Sequence, residues 1–123
     1  MSKELKKRDN KDILWEDKKR TIFGLPLSFT KYTLTEDVLY VRSGILTKRE
    51  EEIRLYRIVD ITLTATLGER IFNTGSILVE SSDRSMPQLI LESIKNSASV
   101  KDQLSNLVEQ SRRNAGVVNL NSI

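Results

Sequence analysis

The chain has 123 residues, 38% of them apolar and 30% charged, and contains neither cysteine nor histidine. That length makes one domain with a single core. Lacking cysteine, it cannot form disulfides, thiolate nucleophiles or cysteine-ligated zinc and iron–sulfur sites; lacking histidine, it has no imidazole ligand and no side chain that titrates near neutral pH unaided.

The net charge of +3 is local: residues 1–20 carry eight basic and five acidic side chains, and the remainder carries twelve of each. Binding to nucleic acid needs a basic face on the folded body, so a neutral body argues against that partner. No apolar run exceeds four residues, whereas a membrane-spanning helix needs about 20. The charged N-terminus has no signal-peptide core, and the expected compartment is the cytoplasm.

In chain order, residues 1–12 read as a flexible charged N-terminal tail, because they hold too little apolar surface to repay ordering. Residues 13–113 form the domain and residues 114–123 a C-terminal tail. Strand patterning starts near residue 18 and lasts to about 94. Ser28–Thr33 alternates, Val38–Val41 is β-branched and apolar, and Ser43-Gly44 before Ile45-Leu46-Thr47 predicts a tight hairpin between strands. The mixed charges of Lys48–Glu52 suit a solvated edge. Val59, Ile61, Leu63 and Ala65 repeat at period two until Leu67–Arg70 breaks the run. Ile77 and Val79 share a face of the next strand, Ser81–Ser85 is a turn built on Asp83, and Leu89–Leu91 is the last strand. Val100, Leu104, Leu107 and Val108 then form one stripe of a helix. Ser99 with Asp102 supplies its capping signature, and Gly116 is placed to end it. Strands followed by one amphipathic helix imply a mainly β fold with a C-terminal α-helix covering it.

Trp15, Phe29-Thr30-Lys31-Tyr32-Thr33-Leu34-Thr35, Leu39-Tyr40-Val41 and Gly44 resemble the opening of bacterial pleckstrin-homology-like (PH-like) domains. Ile58–Ile61, Arg70-Ile71-Phe72, Gly75-Ser76-Ile77, Ser81 and Asp83 are similar to the middle of that pattern. Leu91, Ile94 and the helix from Val100 complete it. The resemblance implies a seven-stranded orthogonal β-sandwich or open barrel capped by a helix, acting as a non-catalytic binding or assembly module with no cofactor, metal or small-molecule substrate. It also implies that Asp60 and Arg70 make a structural contact.

Two surfaces are candidates for binding. The apolar segment Phe23, Leu25, Pro26 and Leu27 either turns inward as a plug of the core or forms an exposed patch that suits a protein partner or another copy of the chain. Lys18, Lys19, Arg20 and Lys31 flank it and suit an anionic headgroup, which gives peripheral membrane contact as the alternative function. The carboxylates Glu50, Glu51 and Glu52 are adjacent in sequence on an edge expected to face water, which does not suit a general acid–base pair, and no nucleophile or phosphate-loop motif is present. No catalytic residue is therefore expected.

Overall fold

The computed structural model describes residues 12–20 and 29–121, the last five of these as helical backbone only. Alternating and β-branched runs become seven strands: β1 Trp15–Lys18, β2 Thr30–Leu34, β3 Val38–Ser43, β4 Arg49–Arg54, β5 Ile58–Thr64, β6 Thr74–Ser81 and β7 Gln88–Lys95. A 3₁₀ turn, Leu55–Arg57, joins β4 to β5; a short helix α1, Leu67–Ile71, joins β5 to β6; and helix α2, Ser97–Asn121, follows β7. The strands form two antiparallel sheets, ordered β1-β2-β3-β4 and β5-β6-β7.

Both sheets contribute to one core. Tyr32, Leu34, Leu39 and Ile53 from the first sheet meet Ile58, Ile77, Val79, Leu91 and Ile94 from the second. The predicted stripe of α2 closes it, with Val100, Leu104 and Val108 buried and Leu107 partly so. Arg112 fastens the far side of that stripe by donating to the backbone carbonyl of Ile58. Mainly β with one long C-terminal helix is the fold class expected from the patterning.

The seam between the sheets is closed by side chains. The Tyr32 hydroxyl donates to the Ile90 carbonyl at 3.3 Å and accepts from the Glu92 N–H at 3.0 Å. Asp17 accepts from the Lys95 N–H at 3.0 Å. Side chains of β1 and β2 thus satisfy the free edge of β7, which would otherwise present unpaired backbone groups.

Local structure departs from expectation at four places. Helix α2 begins at Ser97, two residues before the predicted Ser99 cap, since Asn96 takes φ 53° and its carbonyl accepts from Val100 N at 3.0 Å. Gly75 allows that start: a Cβ there would lie 2.3 Å from the Ser97 hydroxyl oxygen. The helix runs through Gly116 to Asn121, because glycine inside a helix costs only about 1 kcal/mol and ends one only by leaving helical geometry. Leu67–Arg70 is not merely a break. Thr66 accepts from Glu69 N at 3.2 Å while Glu69 accepts from Thr66 N at 3.0 Å, a complete capping box that starts α1. The fourth departure, at Ile45–Thr47, forms part of the site.

Candidate functional site

β3 and β4 pair as far as Ser43 opposite Arg49, so their connection is the five-residue loop 44–48, not a tight turn followed by a strand. Gly44 has φ 105°, and a Cβ there would lie 1.9 Å from the Thr47 carbonyl oxygen, so this turn admits glycine alone without strain. The turn also ties the loop to β2, with Gly44 N donating to the Phe29 carbonyl at 3.2 Å. Its consequence is to put Ile45 and Leu46 in solvent, 61% and 100% exposed, beside Phe29 at 64%.

A cleft of about 360 Å³ lies against this apolar tip. Its cationic wall comes from four strand ends and the loop: Lys18 on β1, Lys31 on β2, Arg42 on β3, Lys48 in the loop and Arg49 at the start of β4. Lys31 contacts Glu16 at 3.3 Å, Arg42 contacts Glu50 at 3.3 Å, and Arg49 contacts Glu51 at 3.2 Å. Such partly exposed pairs are worth about 0–1 kcal/mol each, so a multivalent anion competes for the cations at small cost. Among the described residues, Lys18 and Lys48 have no carboxylate within ion-pairing distance.

The four basic residues expected to act together divide in two. Lys18 and Lys31 line the cleft. Lys19 turns to Glu92 on β7 at 2.6 Å, and Arg20, its side chain only 10% exposed, turns to Asp17 at 2.7 Å and to the Lys18 carbonyl. Phe23, Leu25, Pro26 and Leu27 lie outside the described residues. Sequence reasoning missed Arg42, Lys48, Arg49 and the Ile45–Leu46 tip. The available signal was an apolar pair followed by two cations immediately after a Ser-Gly turn.

A second, polar cleft of about 440 Å³ lies between α1 and the β6–β7 pair. Glu69 organises it, accepting from the Ser76 hydroxyl at 2.5 Å, the Ser93 hydroxyl at 3.2 Å and Thr66 N. Burial works against ionisation of Glu69, yet these hydrogen bonds outweigh it and hold its carboxyl below the usual carboxylate range. Ser93 has φ 49° where the β6–β7 register shifts, and its N–H donates to the Ser76 hydroxyl at 3.0 Å. The cluster pins α1 to the sheet and leaves Leu67, Ile71 and Phe72 facing outward. Asp60 and Arg70 form no ion pair: Asp60 caps the adjacent Ile61 N–H at 2.9 Å, while Arg70 lies beyond the far end of β5. Asp83 is the expected turn former, accepting from both the N–H and the hydroxyl of Ser85.

No grouping of three or more acidic side chains suited to a metal ion occurs among the described residues. No helix among them is long and apolar enough to cross a membrane.

Two antiparallel sheets of four and three strands, joined around one core and capped by a single C-terminal helix, define the pleckstrin-homology class of small β modules. The bacterial PH domain profile matches residues 24–108, most of the chain, and this protein belongs to that family. No curated protein and no solved structure matches the chain.

Proposed function

We propose that this domain is a non-catalytic binding module that docks peripherally on an anionic membrane surface, at the cytoplasmic face, through the basic end of the first sheet. One observation carries the reading: the exposed Ile45–Leu46 tip stands among Lys18, Lys31, Arg42, Lys48 and Arg49. Anionic lipid rewards both parts of that arrangement. Burying Ile45 and Leu46 below the headgroups contributes roughly 1.5–3 kcal/mol each, and each cation near the surface about 1 kcal/mol. Opposing this, Glu16, Glu50 and Glu51 reduce the charge of the wall. The expected binding is therefore modest, reversible and sensitive to salt.

Co-sedimentation with vesicles tests this. Binding to phosphatidylserine-containing vesicles at low salt, with none to phosphatidylcholine alone, is expected. Equal binding to both, or to neither, contradicts it.

A second reading, assembly with a protein partner, is favoured by a different feature. Leu67 and Ile71 on α1, Phe72 at its C-terminal cap and Ile90 on β7 make a second exposed apolar surface. Under this reading Phe23, Leu25, Pro26 and Leu27 remain a candidate contact, and replacing Leu25 and Leu27 by Ser is expected to weaken assembly without unfolding the domain.

A further inference from the structure

The two sheets leave four strand edges, and three of them are protected. β1 has four residues, and its Asp17 already contacts β7. The edge of β7 is filled by the Tyr32 hydroxyl and Asp17. β4 reads Arg49-Glu50-Glu51-Glu52-Ile53-Arg54, a charged edge that discourages pairing.

β5 carries a bulge between Ile58 and Asp60, at one end, and none of these devices along Ile61–Thr64. On β7 the Ile90 carbonyl and Glu92 N–H face away from β6, so the alternate residues Leu89 and Leu91 bond to Val79 and Ile77. It follows that Leu78 and Ser76 bond to Thr62 and Thr64, and that the N–H and C=O groups of Ile61 and Leu63 point outward. The Ile61 N–H reaches only the exposed carboxylate of Asp60 beside it. Among the described residues, no other backbone group meets this edge. Ile61 and Leu63 turn their side chains to the core but are only partly buried there.

We infer that this edge is where two copies of the chain associate, through antiparallel pairing of β5 with β5 about a two-fold axis at Ile61. The strand is complementary to itself in that register. Ile61 meets Ile61, Val59 meets Leu63, and Asp60 meets the neutral Thr62, so no like charges lie opposite. Exposed apolar residues fall at matching ends: Tyr56 in the turn before β5 with Val59 at its start, and Leu67 and Ile71 just beyond its end. Antiparallel pairing carries the first group of one copy to the second group of the other, and the two-fold axis makes both contacts at once. The result is a continuous six-stranded sheet, β7-β6-β5 followed by its symmetry mate. The inference does not depend on membrane docking, which uses the opposite sheet.

Sedimentation of the full chain combined with amide exchange tests it. A concentration-dependent monomer–dimer equilibrium is expected, with Ile61 and Leu63 amides exchanging at least about tenfold more slowly in the dimer than on dilution. Val59 is 59% exposed, so Val59→Lys should keep Thr62 and Leu78 amides protected while weakening dimerisation at least about tenfold. If that variant loses its internal protection, Ile71→Lys is read by the same criteria. A monomer at about 1 mM overturns the inference. So does a dimer whose Ile61 and Leu63 amides ignore concentration, or one that persists unchanged in a folded variant.

Discussion

Replacing Tyr32 by Phe deletes one oxygen atom and opens the seam between the two sheets. The ring remains in the core, where Tyr32 is buried, so packing is nearly conserved. What is lost is a two-sided bridge: the Ile90 carbonyl loses its donor and the Glu92 N–H its acceptor. Leaving such groups without partners costs about 1–3 kcal/mol, and because this pair is only part-buried the lower half of that range is expected. The same hydroxyl supplies a pH signature. Burial, opposed by the hydrogen bond from the Glu92 N–H and aided by the nearby Glu92 and Asp17 charges, pushes the Tyr32 pKa up from 10.0 to about 12. A folded-state value above the unfolded one favours the neutral phenol in the fold. Its contribution is complete below pH 10 and fades as the pH rises to 12, by roughly 2–3 kcal/mol at about 1.4 kcal/mol per pH unit. Urea unfolding of parent and variant across pH 7–12 isolates this term, since other titrating groups cancel in the difference. Parent stability should exceed that of the variant at pH 7, and the gap should vanish or reverse by pH 12. A gap below about 0.5 kcal/mol at pH 7, within the noise of an ordinary surface substitution, or a gap that stays constant with pH, refutes the bridge.

Leu104→Ala, at the fully buried centre of the α2 stripe, should cost about 2–5 kcal/mol in chemical unfolding. Gly44→Ala should cost about 1–3 kcal/mol through backbone strain at its positive φ, with loss of vesicle binding as the tip reorients; unchanged melting would show that the loop is not fixed there. Glu69→Ala should release α1 and speed exchange of its amides, leaving β5 and β6 protected. In the parent the depressed Glu69 pKa means that this anchor is present above the ordinary carboxylate value and fades as pH falls through the folded one. Amide exchange on acidification should therefore show α1 opening before the sheets, a step missing from the variant.

The fold was legible because its burial follows simple periods. Val38–Val41, Ile77 with Val79, and the Val100–Val108 stripe are apolar at the spacing that each element requires, and all are buried except Leu107, which is partly so. Boundaries were less legible where one residue's backbone decides the path. Asn96 and Gly44 each take positive φ, and a string of residue types does not reveal which short loop needs such a bend. The capping box of α1 was in plain view as Thr66–Glu69, but five residues make too short a run for helical periodicity to register. The site was half legible. Lys18 and Lys31 share one end of the sheet because they are paired neighbours, Lys18 opposite Lys31, whereas Lys19 leaves it for Glu92, adjacent only in space, and Arg20 for Asp17, three residues earlier in the chain. Arg42, Lys48 and Arg49 join the cleft through the β3–β4 register, a relation visible only once the strands are paired.

Membrane docking as proposed requires the Ile45–Leu46 tip to enter the membrane interface, and a single tryptophan placed there reads this directly. With Trp15, the chain's one tryptophan, replaced by Phe, the Leu46→Trp variant reports only on the tip. Vesicles containing phosphatidylserine should shift its emission to the blue, brominated acyl chains should quench it, and Lys48→Glu with Arg49→Glu should abolish both effects. Emission that stays at the water-exposed wavelength while the protein co-sediments with those vesicles would place the contact elsewhere on the molecule and rule out docking through the tip.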